Sequence, residues 1–331
     1  MSTMKIDKSL TMLAERALSE WLLEGARLEP ISIWENVVFR VNKDGQTYVL
    51  RIHRSWYHTL EELNSELVWT AALREYGLNV PEPLLTKDGQ GYITKCLPGS
   101  DETRNIGVLK WVEGNILGDV IKPDSKDLNK VCDYFEQLGS IAAVIHNQSA
   151  VWNVPAGFTR HAFDVEGLVG DTPFWGPFWA LPQLLPQQRD LLEKARKIIG
   201  ETLAAYGKSP DTYSMIHADL HMGNLVVGRK GIHVIDFDDA GFGWHQHEFA
   251  VALHSYRDHP KFEMIVKAFF NGYRKDRALD AESIALLPLF LLVRTLVNLS
   301  WIQQRPELGQ EREIPAMIEE ACKEVDRFLA A

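Results

Sequence analysis

The chain has 331 residues, 46% of them hydrophobic, so it is long enough to bury the cores of two packed lobes. Its formal net charge of -10 argues against a nucleic-acid-binding protein, which normally presents a basic surface, and mildly favours a cationic substrate. Three widely spaced cysteines are too few for a disulfide framework or a zinc ribbon, so we expect a reducing, cytoplasmic location. No signal peptide is expected, because the N-terminus lacks an apolar run. No membrane-spanning segment is expected, because the longest apolar block, Ile284 to Val293, contains Pro288.

The N-terminal third combines helical and strand-like patterns. Apolar residues spaced by three and four predict a helix from Ser9 to Leu23 and another from Thr59 to Tyr76, which ends at Gly77. Short β-branched runs separated by turn residues predict strands at 31–33, 37–41, 48–52, around 84, at 91–94 and at 108–112. This order predicts a small sheet with one main helix.

The remainder of the chain is mostly helical in pattern. Apolar spacing predicts helices at 128–146, 184–206, 248–256, 262–273, 281–301 and 314–328, with an irregular stretch at 164–179. Two short β-branched runs between Leu225 and Ile235 flank a glycine-bounded basic turn, which predicts a hairpin. Because the hairpin is short, we expect it to bring Asn224, which precedes it, and Asp236, which follows it, to the same end.

The segment His217-Ala218-Asp219-Leu220-His221-Met222-Gly223-Asn224, with Asp236 beyond the hairpin, has the residue types of a phosphoryl-transfer site. The side-chain oxygens of Asn224 and Asp236 suit Mg²⁺, which neutralises nucleotide phosphates. Asp219 is placed to align an acceptor hydroxyl and accept its proton. We expect His217 to hold the loop by hydrogen bonds without contacting the substrate.

Two other interpretations of this segment stay open. Asp, His and Asn are common in ordinary turns. The alternating spacing of His217, Asp219 and His221 would also suit a zinc or other transition-metal hydrolase. Further ligands for such a metal are available at His233, His245 and His247. The hydrolase interpretation gives no role to Asn224 and Asp236.

The order His-x-Asp-x-x-x-x-Asn, hairpin, Asp-Phe-Asp resembles the catalytic and metal-binding loops of kinases. It is most similar to the aminoglycoside phosphotransferase, choline kinase and homoserine kinase group, which typically has His-Gly-Asp-Leu-His-x-Gly-Asn, whereas this chain has Ala218. The resemblance implies an α+β, bilobal protein-kinase-like fold, with a small antiparallel sheet lobe carrying one main helix and a larger, mostly helical C-terminal lobe. We expect a nucleotide-binding lobe at 1–109, a catalytic and substrate lobe at 110–331, and a hinge near 110–114.

The resemblance also implies nucleotide contacts in the N-terminal lobe. A lysine on the third strand usually contacts the phosphates and pairs with a helical glutamate; here Arg51 replaces that lysine and Glu66 is its predicted partner. Arginine keeps the charge but binds through a planar fork, and the alternative is a surface residue on an edge strand. Main-chain groups of Lys110 and Val112 are expected to bind adenine. The loop expected to cover the phosphates, residues 32–36, contains no glycine.

The acceptor is the least defined part of the prediction. An aromatic cage for an ammonium group, assisted by Asp238 and Asp239, is one possibility, and ordinary core packing of the same tryptophans is the other. The cage residues would be Trp175, Trp179, Trp244 and Trp301. A carboxylate-bearing acceptor would instead need a cation such as Arg160 or His161. Glu248 stands where an aspartate that braces the catalytic loop is common in the group.

These features predict an ATP- and Mg²⁺-dependent O-phosphotransferase acting on the hydroxyl of a small molecule, such as an amino alcohol, a homoserine-like or an aminoglycoside-like compound. A Ser/Thr protein kinase of the bacterial stress-response type and a non-catalytic nucleotide-binding regulator are the alternatives. No nucleic acid or membrane partner is expected. The sequence leaves open the acceptor, the choice between ATP and GTP, and the oligomeric state.

Overall fold

The computed structural model describes residues 7–33, 36–121, 125, 127–229 and 231–330. It contains two compact units. The first consists of Met1–Asn115, Val154–Thr159 and Val226–Asp238, and the second of Ile116–Asn153, Arg160–Leu225 and Asp239–Ala331. The division into domains at residue 110 stays a prediction.

The N-terminal part of the first unit is a five-stranded antiparallel sheet with two helices. Its elements are α1 (Lys8–Ala17), β1 (Arg27–Ile33), β2 (Val37–Lys43), β3 (Gln46–Ile52), α2 (Leu60–Glu75), β4 (Tyr92–Cys96) and β5 (Thr103–Lys110). The strand order is β1-β2-β3-β5-β4, so β3 is an interior strand. Helix α1 and one face of the sheet enclose a core that includes Leu13, Trp21, Phe39, Leu50 and Val108. The predicted small antiparallel sheet is therefore present.

Helix α2 begins and ends within one residue of the predicted bounds, Thr59 and Tyr76. The Thr59 hydroxyl accepts the N–H of Glu62, and the Glu62 carboxylate accepts the N–H of Thr59, which forms a capping box. Gly77 follows the C-cap with a φ of 105°, a conformation that favours glycine. These caps fix α2, which carries Glu66, beside the sheet.

Two predicted strands differ from the structure. The segment around Leu84 is no strand and pairs only through an isolated bridge between Pro83 and Leu109, because the prolines at 81 and 83 lack the N–H groups that a ladder needs. The strand predicted at 108–112 begins earlier, at Thr103, and ends at Lys110. The polypeptide therefore leaves the sheet at the start of the predicted hinge.

The rest of the chain consists of short strands and mostly long helices, joined by loops that include the segment after His217. The elements are β6 (Asn115–Ile116), α3 (Leu117–Val120), α4 (Leu128–Val151), β7 (Ala162–Phe163), α5 (Val165–Val169), α6 (Pro186–Tyr206), β8 (Tyr213–Ile216), β9 (Leu225–Gly228), β10 (Gly231–Val234), β11 (Gly241–Trp244), α7 (His245–His254), α8 (Phe262–Asp276), α9 (Ala281–Ala285), α10 (Leu287–Gln303) and α11 (Ile314–Ala330). Strands β9 and β10 form the predicted hairpin. Among the described residues, no helix has the length and apolar character needed to cross a membrane.

A three-stranded sheet of β7, β11 and β8 leads into the segment that begins at His217. Strand β11 pairs with β7 in parallel and with β8 antiparallel. Gly241 of β11 lies opposite Ile216, the last residue of β8. The segment that begins at His217 therefore leaves β8 beside the strand that leads into α7.

The helix predicted at 281–301 is divided into α9 and α10. Leu286 separates them, and Pro288 lies in the first turn of α10, where a missing N–H is tolerated. Apolar spacing continues across the break, which is why the sequence pattern alone did not show it.

Candidate active site

The segment after β8 turns through an unusual backbone conformation. Ala218 has a φ of 62°, in the left-handed region that favours glycine. This conformation gives a physical reason for the glycine that is usual at this position in the kinases that the motif resembles. Ala218 is also fully buried, so the surrounding structure must hold the loop in place.

Glu248, in the first turn of α7, provides that support. Its carboxylate accepts the N–H of His217 at 2.9 Å and the N–H of Ala218 at 2.8 Å. Glu248 is fully buried, and burial raises the pKa of its carboxyl to about 8 even though the two N–H donors act to lower it. The longer side chain of glutamate is thus accommodated where an aspartate is common.

His217 is held inside the protein by the loop itself. Its side chain is fully buried, and Nδ1 accepts the N–H of Asp219 at 3.2 Å. This geometry matches the loop-holding contact expected from the sequence, while the role of His217 in catalysis stays a prediction.

Both carboxylate oxygens of Asp219 are engaged. Oδ2 accepts a hydrogen bond from Nδ2 of Asn224 at 2.8 Å and lies 3.2 Å from Nε2 of His221, and Oδ1 accepts from the Arg294 guanidinium at 3.1 Å. His221 Nδ1 accepts the N–H of Gly223, so a neutral His221 carries its proton on Nε2, toward Asp219. Burial acts to raise the pKa of Asp219, but His221, Arg294 and then His217 hold it well below its usual range. Asp219 is therefore ionised at neutral pH.

Asn224 is oriented by Asp219. Its side-chain nitrogen donates to the Asp219 main-chain oxygen at 2.9 Å as well as to Oδ2. With the nitrogen fixed on this side, the amide oxygen points the other way. An amide oxygen is a hard ligand of the kind that Mg²⁺ takes, so Asn224 fits the predicted metal-binding role.

In the first unit, Arg51 joins three carboxylates. Its guanidinium lies 3.6 Å from Glu66 Oε1, 3.0 Å from Asp236 Oδ1 and 3.1 Å from Asp238 Oδ1. Burial acts to lower the pKa of Arg51, but the three carboxylates raise it overall, so the guanidinium is permanently charged. The alternative of a surface residue on an edge strand is wrong, because Arg51 is buried on interior strand β3.

Asp236 and Asp238 differ in exposure although both contact Arg51. The Asp236 side chain is 48% exposed and its backbone has a φ of 64°, whereas the Asp238 side chain is only 4% exposed. Asp238 also accepts from Nδ2 of Asn36 at 3.1 Å and lies 3.3 Å from Nδ1 of His53. An accessible carboxylate at Asp236 fits a metal ligand. Trp34 and Glu35, in the loop predicted to cover phosphate, lie outside the described residues.

The predicted hinge offers main-chain groups at one of its two named residues. The N–H of Lys110 donates to the Glu82 carbonyl at 2.8 Å, and the Lys110 ammonium pairs with the Glu82 carboxylate. Within the part of the chain that the structure describes, Val112 makes no main-chain hydrogen bond. Val112 lines a cleft of about 960 Å³ formed by residues 80–82, 110–115 and the β9–β10 hairpin. Val112 rather than Lys110 thus has a donor available for a base.

Of the four tryptophans considered for an ammonium cage, Trp301 is half-buried and the other three are buried. Trp175 is 2% exposed and packs against Phe163, with ring centroids 5.1 Å apart. Trp244 is fully buried, and its Nε1 donates to the Gly207 carbonyl at 2.7 Å. Both rings therefore contribute to packing in this structure, and their contact with a substrate stays a prediction.

Three histidines of the alternative metal site have other hydrogen-bond partners. His217 and His221 each accept a main-chain N–H through Nδ1. His245 stacks on His146 at 3.9 Å between ring centroids, its Nε2 lies 2.9 Å from the Ser214 hydroxyl, and burial lowers its pKa to about 3. These contacts account for His217, His221 and His245 without a transition metal.

A profile of the phosphotransferase enzyme family matches residues 27–283. The chain belongs to this family. The phosphotransferase is 26% identical to the amicoumacin kinase of Bacillus subtilis (strain 168) over 299 residues, which are 85% of this chain and 82% of that kinase. It is 32% identical to a microcompartment-associated aminopropanol kinase of known structure, with a TM-score of 0.83 over 97% of this chain and 98% of that one. A choline/ethanolamine kinase family protein from Mesorhizobium loti, 14% identical, shares the fold with a TM-score of 0.65 over 97% of this chain and 95% of that one.

These comparisons decide several sequence-based predictions. The resemblance to aminoglycoside phosphotransferases and choline kinases is confirmed, and so is the α+β, protein-kinase-like fold. The phosphotransferase is an enzyme, as predicted, and the metal hydrolase interpretation is wrong. The roles of the individual residues in the His217 segment stay predictions.

Arg294 is a residue of this site that the sequence analysis missed. It is the only charged residue in α10, whose other residues are mostly apolar. A lone arginine in such a helix signals a buried ionic partner, because an unpaired buried charge is costly. The partner, Asp219, lies 75 residues earlier, and only the fold brings the two together.

Proposed function

We propose that this phosphotransferase transfers the γ-phosphoryl group of ATP, with Mg²⁺, to the hydroxyl of a small amino alcohol. The proposal rests above all on Asp219, an ionised carboxylate whose side chain is 23% exposed and is held at both oxygens. The amino alcohol is supported by the 32% identity to the aminopropanol kinase over 97% of this chain. The net charge of -10 also suits a cationic acceptor.

In this proposal, Asp219 orients the acceptor hydroxyl and accepts its proton. A carboxylate with so low a pKa is a weak base, which suits a reaction in which the acceptor loses its proton late. Glu248 and His217 hold the loop so that Asp219 keeps its position. The catalytic contribution of the protein is therefore mainly positioning.

The nucleotide would be held by residues of the segment after His217, of the loop at Asp236 and of strand β3. The amide oxygen of Asn224 and the carboxylate of Asp236 would hold Mg²⁺, which when bound neutralises charge on the phosphates. Arg51, steadied by Glu66, would contact a phosphate. The main-chain N–H of Val112 would bind adenine, because that of Lys110 already donates to the Glu82 carbonyl.

The test is magnesium-dependent ADP release from ATP with a set of acceptors. The set is 1-amino-2-propanol, ethanolamine, choline, homoserine, an aminoglycoside and a generic Ser/Thr protein. We expect turnover with a small amino alcohol. Release with the protein alone would favour the protein kinase alternative, and release with none of them would contradict the proposed acceptor class.

Two isosteric variants separate the proposed roles. Asp219→Asn removes the charge that accepts the proton and is expected to lower kcat by about 10²- to 10⁴-fold while nucleotide binding is kept. Asp236→Asn is expected to lose magnesium-dependent nucleotide binding as well. Equal residual turnover and equal nucleotide affinity in the two variants would contradict these assignments.

A further inference from the structure

Arg294 approaches Asp219 from a different part of the chain than its other partners do. His221 and Asn224 belong to the same short segment as Asp219, and both contact Oδ2. Arg294 comes from α10 and donates to Oδ1 at 3.1 Å. It is the one contact, among those that the structure describes, that ties the Asp219 carboxylate to a long helix.

The guanidinium of Arg294 is itself held in a defined place. Its side chain is 15% exposed, and its Cζ lies 5.3 Å from the centroid of the Trp175 ring. Trp175 is 2% exposed, and the α10 residues Val293 and Leu296 beside Arg294 are buried. A cation fixed against an aromatic face and an anchored helix has little freedom to leave its carboxylate partner.

The contacts on the two oxygens of Asp219 differ in charge. Those on Oδ2 come from a side-chain amide and an imidazole, whereas Oδ1 faces a permanent cation. Removing Arg294 would leave the Oδ2 contacts in place and take the fixed charge from Oδ1. The carboxylate would then have more freedom to rotate about its bonds.

We propose that Arg294 is a positioning residue for the phosphotransfer reaction, which fixes the orientation of the Asp219 carboxylate. This inference rests on the proposed role of Asp219. It assigns to α10, outside the catalytic segment, a direct part in setting the geometry of the reaction.

The test compares Arg294→Gln, which removes the charge, with Arg294→Lys, which keeps it. We expect Arg294→Gln to lower kcat by about 10- to 100-fold, the loss typical of a misplaced catalytic group, with the KM for ATP unchanged. Arg294→Lys should lie between this variant and the wild type, because one ammonium can replace the single contact to Oδ1.

Arg196 provides a matched control. Its guanidinium also lies over a tryptophan, 3.9 Å from the Trp179 ring centroid, and pairs with a carboxylate, that of Asp171 at 2.9 Å. Arg196 also donates to the Val169 carbonyl at 2.7 Å, so Arg196→Gln removes at least as many contacts, none of them to Asp219. It is expected to lower the melting temperature without changing kcat.

The outcomes distinguish this inference from the proposed function. If Asp219→Asn is inactive but Arg294→Gln has the kcat of the wild type, only the role of Arg294 is overturned. Equal losses in Arg294→Gln and Arg294→Lys would also overturn it, since the retained charge would then have no effect. If Asp219→Asn keeps full activity, the proposed function itself fails.

Discussion

Replacement of Glu248 by glutamine tests how the catalytic segment is held. The carboxylate is fully buried and accepts the N–H groups of His217 and Ala218 at 2.9 and 2.8 Å. Glutamine has the same length, but its NH₂ group replaces an oxygen that can accept a hydrogen bond in either protonation state of the carboxyl. One buried N–H therefore loses its partner, at an expected cost of about 1–3 kcal/mol in the free energy of unfolding.

The cost of this substitution depends on pH. Burial raises the pKa of Glu248 to about 8 in the folded protein, from the ordinary value of 4.5. Between these values the unfolded chain releases the proton while the folded protein retains it. The stability that protonated Glu248 provides is therefore complete below pH 4.5 and is lost as the pH rises to about 8, at about 1.4 kcal/mol per pH unit. Glutamine does not titrate and lacks this dependence.

Denaturant unfolding of the wild type and of Glu248→Gln at about pH 6 and about pH 8 measures the difference. We expect the substitution to cost about 2 kcal/mol less at the higher pH. Other titrating groups are common to both proteins, so their contributions cancel. A difference that does not change with pH would refute the reasoning, because it would mean that the two N–H donors keep Glu248 ionised throughout.

Three further substitutions test other features of the structure. Ala218→Val is expected to lower the free energy of unfolding by about 2 kcal/mol or more, because a β-branched residue is disfavoured at a φ of 62°. Ala218→Gly should stay within about 1 kcal/mol of the wild type in thermal unfolding. Equal losses in the two variants would contradict this. Arg51→Ala leaves three carboxylates without their cation and should lower the free energy of unfolding by about 3–5 kcal/mol. It should also weaken nucleotide binding, measured by calorimetry, far more than Arg51→Lys does. Similar binding in both variants would contradict the phosphate role. Trp244→Phe removes the hydrogen bond to Gly207 and should lower the free energy of unfolding by about 1–3 kcal/mol while the KM for the acceptor is unchanged. A raised KM at unchanged stability would instead favour a substrate contact.

Local signals explain why much of the fold was predictable from the sequence. The capping residue Thr59 and the glycine Gly77 delimit α2 through contacts within a few residues, and these are written directly in the sequence. The hairpin of β9 and β10 likewise depends on a short turn. Where two prolines interrupt a ladder, as around Leu84, the same local chemistry was overlooked in favour of apolar content.

Contacts over long sequence distances were less predictable. Glu66 was identified as the partner of Arg51 because the family resemblance supplied the pairing, and the structure places the two 3.6 Å apart. No resemblance pointed to Arg294, although its isolation in an apolar helix marked it as unusual. The burial of Trp244 also depends on tertiary packing, which the residue type does not specify.

The arginine at position 51 has a practical consequence for chemical surveys of kinases. Reagents that label nucleotide sites by acylating a lysine amine need a group that can lose its proton and act as a nucleophile. A guanidinium that is buried, paired with Glu66, Asp236 and Asp238 and permanently charged does not do so. A lysine-directed nucleotide probe would therefore leave this strand unlabelled, and an enzyme inventory based on such labelling would overlook an active member of the family.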